Sequence, residues 1–291
     1  MFINKPRRIN CNKVILFTNA RDEKNMNEWI SHHFLLGFDK IFIFDHLSVI
    51  PITAPRFNGK LIIYRSNEIK NNIKLDFMYR ALNVALRNNS DWMLYLDADE
   101  YLCINNYNDV KSFLINFKEA DMIGINWLMF GSNKHIEQPN GLLIDNFTKS
   151  DIRLDKHVKS FVRPECVKRI VNPHYYIIGN TSRCYNALGF RMRNGPFNNI
   201  PIPFFRSPVY IAHYYIQSEE EYKKRKGRVM DDGSKPNIPL SEEIHSMYNK
   251  VDNYQLKCKY GNNIRKILSR YFSDNFPEIL QDVSSRVSQE I

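Results

Sequence analysis

The sequence predicts an α/β protein: a mostly parallel sheet flanked by helices, followed by a helical extension at the carboxyl end. Three observations carry this. Short apolar runs recur at 14–18, 40–45, 61–64 and 92–96, stretches with helical spacing lie between them at 25–36 and 73–88, and several runs end in polar or acidic residues. A short apolar run bounded by polar residues is the mark of a strand buried on both faces. Strands alternating with helices imply right-handed crossovers and a parallel sheet.

The first run ends in the polar group Asn19 to Glu23. Met26, Trp29, Ile30, His33 and Phe34 then fall at helical spacing, and Gly37 stands where a glycine closes a helix in the left-handed region. Adjacent His32 and His33 belong to that helix, and neighbours on a helix do not face one site. The run at 40–45 closes on Asp45, and a turn-like segment at 51–59 leads to the run at 61–64. The stretch at 92–102 delivers three carboxylates, Asp97, Asp99 and Glu100, at the end of an apolar run. It reads as one buried strand in which residues two apart share a face, aiming Asp97 and Asp99 the same way. A helix at 109–118 and a strand at 122–130 follow. From Asn140 to Pro208 the pattern is strand and loop, with six prolines and no long helical period, and irregular structure closing a cleft is the expectation. The run at 209–215 alternates like a strand, and Ser218 with Glu221 has the S-x-x-E spacing that caps a helix. A link over 231–239 divides an expected catalytic unit at 1–230 from a helical extension at 231–291.

Hydrophobic residues at 43% and aromatics at 13% place the chain among folded proteins, and 291 residues can bury a sizeable core. The net charge of +10 favours an anionic partner, a nucleotide diphosphate or a nucleic acid, although frequent lysine also gives a generic basic surface. Five widely spaced cysteines form no C-x-x-C pair, and no run is long and apolar enough for a membrane helix or a signal segment. A soluble, cytoplasmic protein with free thiols is the expectation.

In open parallel sheets ligands collect beyond the carboxyl ends of the strands, where Asn19 to Glu23, Asp45 and Asp97 to Glu100 all fall. Hard carboxylate oxygens suit Mg²⁺ or Mn²⁺, and such ions are held by one or two carboxylates together with substrate phosphates. Aspartates at strand ends also cap loops and pair with lysine, so the D-x-D alone leaves both readings open. Haloacid-dehalogenase phosphatases share the D-x-D, but theirs follows the first strand and continues to Thr or Val, where this chain has Tyr101.

The ordered set of motifs resembles the glycosyltransferases of family 92 and the related family 2-like group. It comprises Asn27-Glu-Trp-Ile-Ser-His-His33 with Gly37, Ile43-Phe-Asp45 with Ser48, and Trp92 through Asp97-Ala-Asp-Glu-Tyr-Leu102. Next come Trp127-Leu-Met-Phe-Gly-Ser132 with His135, His157-Val-Lys-Ser-Phe-Val-Arg-Pro164, Pro173-His174, and His213 with Ser218 to Tyr222. The set covers residues 14–228. The resemblance implies a GT-A fold, Rossmann-like, and transfer of a sugar from a nucleotide-sugar, a UDP-sugar being favoured, to a hydroxyl of a glycan or protein acceptor. It further implies Mn²⁺ or Mg²⁺ on Asp97 and Asp99, with His213 completing the metal shell. Arg21, Glu23 and Asp45 match positions that grip uridine and ribose. Gln217 stands where the family often has Lys, so Lys159, Arg163 or Arg225 is expected to supply the cation facing the phosphates.

Inversion at the sugar carbon needs a base for the acceptor proton. Glu137 and Asp145, beyond the strand that ends at Phe130, are the candidates, with Asp151 and Asp155 remaining. Two other function classes stay open: a catalytically silent relative that binds sugar nucleotides, and, less favoured, a basic nucleic-acid-binding protein.

Overall fold

The computed structural model describes residues 11–55, 57–227 and 246–272. Its elements in chain order are β1 (Val14–Ala20), α1 (Met26–Leu35), β2 (Lys40–His46), β3 (Leu61–Ser66), α2 (Ile73–Arg87), β4 (Trp92–Asp97) and β5 (Glu100–Ile104). They continue with α3 (Val110–Leu114), β6 (Met122–Met129), α4 (Leu143–Asn146), β7 (Lys149–Ser150), β8 (Val158–Val162), β9 (Val167–Asn172) and β10 (Tyr175–Ile178). Last are β11 (Cys184–Asn186), β12 (Val209–His213), α5 (Glu219–Lys226), β13 (Val251–Asp252) and the carboxyl-terminal helix α6 (Gln255–Tyr271).

Among the described residues the main sheet runs β3-β2-β1-β4-β8-β6-β12-β5, with β11 on β6. Strands β1 to β4 are mutually parallel, as are β6, β11 and β12, whereas β8 and β5 run antiparallel to their neighbours. The fold is therefore α/β with a mostly parallel sheet flanked by helices. Strand alternation divides the core: Val14 and Leu16 pack on one face with Trp29 and Ile30 of α1, while Ile15 and Phe17 pack on the other with Phe77, Met78 and Ala81 of α2. Burying a side chain of this size stabilises by about 1.5–3 kcal/mol. At the end of α1, Gly37 adopts φ +86° and its N–H donates to the Phe34 carbonyl, the left-handed closure that a glycine accepts without strain.

Three features depart from the sequence expectation. The stretch 92–102 is two strands: the chain turns at Ala98 and Asp99, and β5 crosses to the far edge of the sheet to pair with β12. Asp97 and Asp99 consequently come together through a tight turn rather than through alternation along one strand. The strand-and-loop segment expected to close the cleft instead contributes β8, which sits between β4 and β6 in the middle of the sheet with all five residues buried. A lysine and a serine at its centre hid it from any hydrophobic pattern. The helix α6 inserts Leu256, Tyr260, Ile264 and Leu268 into the core shared with α1, and the Tyr260 hydroxyl donates to the Ile104 carbonyl at 3.1 Å. The expected boundary and link at 231–239 lie outside the described residues. No helix among the described residues is long and apolar enough to cross a membrane.

Candidate active site

Asp97 is the last residue of β4, and β1, β2 and β4 all end on the same side of the sheet because they are parallel. Because β8 is antiparallel to β4 and β6, its first residues reach that side, and Lys159 pairs in register with Ile125. His213, the last residue of β12, lies opposite Glu100. Four strand ends and the Ala98–Asp99 turn thus meet in one place.

The charges there are closely matched. Asp97 accepts from Lys74 at the amino end of α2 through Oδ1 and from Lys159 through Oδ2 at 3.1 Å. Lys159, with no exposed side-chain surface, also lies 3.6 Å from Glu100 Oε1. The Asp97 amide donates to Glu100 Oε2 at 2.9 Å, and Trp29 Nε1 donates to the Glu100 carbonyl at 2.8 Å, fixing the turn on α1. Asp99 Oδ2 accepts from Arg225 of α5 at 2.8 Å, and Asp99 Oδ1 lies 3.6 Å from His213 Nε2. Arg225 also donates to the Tyr215 carbonyl at 2.5 Å, so α5, capped by Ser218 Oγ accepting from the Glu221 amide at 3.1 Å, is held against the turn.

These environments set the protonation states. Burial pushes the Asp97 carboxyl up, but Lys159 and Lys74 outweigh it and hold it well below the usual range. Burial also opposes ionisation of Asp99, and His213 and Arg225 reverse this, bringing it to about 2. Glu100 is pushed up to about 7, because burial and the neighbouring Asp97 prevail over Lys159. Burial lowers His213, yet Asp99, Glu100 and Asp97 together raise it.

An aromatic group adjoins the charges. The Trp127 ring lies 4.3 Å from His213, 5.1 Å from His157 and 4.8 Å from His174, centroid to centroid. His157 Nδ1 is 2.6 Å from Asp155 Oδ1, and the His157 side chain is about one-third exposed. His174 Nδ1 is held at 3.0 Å by the Val158 carbonyl, and burial pushes this imidazole down to about 4.

The sequence-predicted residues separate into two groups. Asp97, Asp99, His213, Lys159 and Arg225 assemble as described. Arg21 and Glu23 lie in the loop after β1, and Glu23 lines a cavity of about 480 Å³ with Asp22, Asn27, Val49, Ile52 and Lys224. Asp45, 1% exposed, accepts from the Ile52 amide at 3.1 Å and lies 3.5 Å from Arg65, so one of its oxygens pins the loop that forms this cavity's far wall. Arg163 is not brought to the site. Running antiparallel, β8 carries it to the opposite end of the sheet, where its guanidinium sits 4.3 Å over the Trp92 ring and its Nε donates to the Ala120 carbonyl at 2.9 Å. Asp145 binds Arg265 of α6, whereas Glu137 is exposed in the loop after β6. The adjacent histidines of α1 are core residues: His32 Nε2 is 2.8 Å from the Leu102 carbonyl and His33 Nδ1 is 2.8 Å from the Trp29 carbonyl.

Lys74 went unrecognised in the sequence, and Asp155, one of the remaining candidate bases, and His157, a motif residue, were not read as a pair. Lys74 sits in a helix whose pattern shows only its apolar face. Asp155 and His157 have the i, i+2 spacing of many loop contacts, and nothing local ties them to Trp127.

The residues present do not fit a divalent ion as the resemblance implies. All four carboxylate oxygens of Asp97 and Asp99 face a cationic or imidazole group of the chain. Among the described residues no three His, Cys, Asp or Glu side chains are grouped to hold a metal.

No protein-family model matches the chain, and no curated protein matches its sequence. Solved structures with partial similarity include S. aureus TarS residues 1–349 in complex with UDP, at 11% identity and TM-score 0.33, over 53% of this chain and 47% of that one. TarS 1–349 alone aligns at 12% identity and TM-score 0.38 over 87% and 74% of the two chains. HddC from Yersinia pseudotuberculosis aligns at 12% identity and TM-score 0.36 over 73% and 96%. The chain spans 29% of the longer TarS structure it also matches.

Proposed function

We propose that this protein is a glycosyltransferase of the GT-A type. It would move a sugar from a nucleotide-sugar, UDP-sugars being favoured, to a hydroxyl of a glycan or protein acceptor, with inversion. The observation that supports this reading best is the meeting of Asp97, Asp99, His213 and Lys159, from three separate blocks of the ordered motif set, with Arg225 at the carboxyl ends of the strands. Ligands of open α/β sheets lie at this edge.

In this reading the cavity beside Glu23 and Ile52 takes the nucleoside, the charged cluster takes the diphosphate, and the Trp127 ring forms a face for a sugar ring. The base is His157. Asp155 holds its Nδ1, which leaves Nε2 to take the proton of the acceptor hydroxyl. As that oxygen bonds to the anomeric carbon, the bond from the anomeric carbon to the diphosphate oxygen breaks and the diphosphate leaves with the electron pair. Asp145, bound to Arg265, is thereby assigned to folding, and Glu137 to the rim.

Release of UDP from a panel of UDP-sugars, with and without oligosaccharide acceptors, tests the reading. Turnover of one donor that is lost in His157→Ala supports it. Donor binding without any release would instead make the protein a silent relative, and failure to bind any nucleoside diphosphate would refute it.

A further inference from the structure

We propose that Lys74, Lys159 and Arg225 take the place of a divalent ion and bind the diphosphate of the sugar nucleotide directly; this rests on the nucleotide-sugar reading above. The geometry is specific. An ion seated on Asp97 and Asp99 would have to evict an ammonium or guanidinium from each carboxylate. Lys74 is 30% exposed and has room to swing away, but the Lys159 side chain has no exposed surface and extends from a strand in the middle of the sheet. It would remain beside the ion, next to Glu100, and two like charges at such range in a buried site repel strongly.

The cluster also retains donors for an anionic ligand. Among the described residues, Arg225 Nε and Trp127 Nε1 are buried without an acceptor. Both belong to residues already placed against the cluster, Arg225 through Asp99 and Trp127 through His213. Buried N–H groups without acceptors are costly, and phosphate oxygens are acceptors only. In this arrangement Asp97 and Asp99 hold the cations in position instead of holding a metal. The cations offset the charge that builds on the leaving diphosphate as its bond to the anomeric carbon breaks.

The test is calorimetric binding of UDP, uridine and inorganic pyrophosphate to the full chain, in EDTA and then with Mn²⁺. The variants are Lys74→Gln and Asp97→Asn, with folding checked by circular dichroism. We expect UDP to bind in EDTA, with less than a twofold gain on adding Mn²⁺. Lys74→Gln should weaken UDP about tenfold or more and leave uridine unchanged, because a hydrogen bond between two charged groups is lost. Asp97→Asn should keep or tighten UDP binding, since it removes a negative charge beside the diphosphate.

UDP binding that requires Mn²⁺ and disappears in Asp97→Asn would overturn the proposal while leaving the nucleotide-sugar reading intact. Pyrophosphate binding in EDTA without UDP binding would do the reverse: the diphosphate subsite stands and the nucleotide-sugar reading falls. No binding of either under any condition overturns both.

Discussion

Glu28 offers a stability test in which two opposing effects can be weighed. It lies on α1, 4% exposed, and its carboxylate accepts from the Leu143 amide at 2.6 Å and the Ile144 amide at 3.1 Å, so it caps α4 from another helix. Burial raises its pKa from 4.5 to about 8, a shift that the two amides and Arg265 reduce and Asp145 increases. Tyr101 and Tyr214 are the other ionisable groups that respond to its charge. The native state therefore keeps a proton that the unfolded chain releases. Its stability contribution is full below about 4.5 and is lost as pH rises toward 8. At 1.36 kcal/mol for each pKa unit the loss is about 4–5 kcal/mol, equivalent to a fall in Tm on the order of 10 °C for a chain of this size.

Glu28→Gln has no proton to lose and keeps one oxygen for the α4 amides. Urea denaturation of both proteins between pH 5 and 8.5 should give near-equal stability at pH 5 and an advantage for the variant that grows steadily from there and levels off near pH 8. Other titrating groups shift both proteins alike, so the difference between the two curves isolates Glu28. Parallel curves, or a variant less stable than the parent at pH 8, would refute the reasoning. Either result would mean that the α4 amides and Arg265 stabilise the ionised carboxylate by at least as much as burial penalises it.

Two further outcomes are expected. His157→Ala should lower kcat by about 10²–10⁴-fold with little change in KM for the donor, and added imidazole should restore part of the rate; a variant with unchanged kcat removes His157 from the chemistry. Gly131→Ala should destabilise by about 1–3 kcal/mol. A Cβ there would meet the Asn249 side chain at 2.3 Å and its backbone nitrogen at 2.9 Å, and an unchanged midpoint in thermal denaturation would show that the segment bearing Asn249 gives way.

Much of the fold was legible because it rests on local patterns. The runs that became β1, β2 and β4 are apolar along most of their length, as strands covered on both faces must be, the edge strand β3 begins with the apolar run at 61–64, and α1 and α2 show helical spacing. From these alone follow an α/β sheet and the gathering of Asp45 and Asp97 at one edge, since parallel strands share a direction. The expectation for 92–102 was half right: the carboxylates are together, but a turn at Ala98 and Asp99 brings them there.

Only the tertiary structure decided what those carboxylates face. Lys159 lies 62 residues from Asp97 in sequence and Arg225 lies 126 from Asp99, and no spacing rule links such positions. The antiparallel entry of β8 into the sheet brought Lys159 in and carried Arg163, the residue that follows the strand, out, although the two lie only four residues apart. Direction in a sheet is fixed by which neighbours a strand pairs with, and that choice is made by packing across the whole molecule. The sequence by itself determined that three carboxylates would stand at the end of a buried strand; strand pairing, with the packing of α2 and α5 against it, determined that each aspartate would arrive already matched to cations.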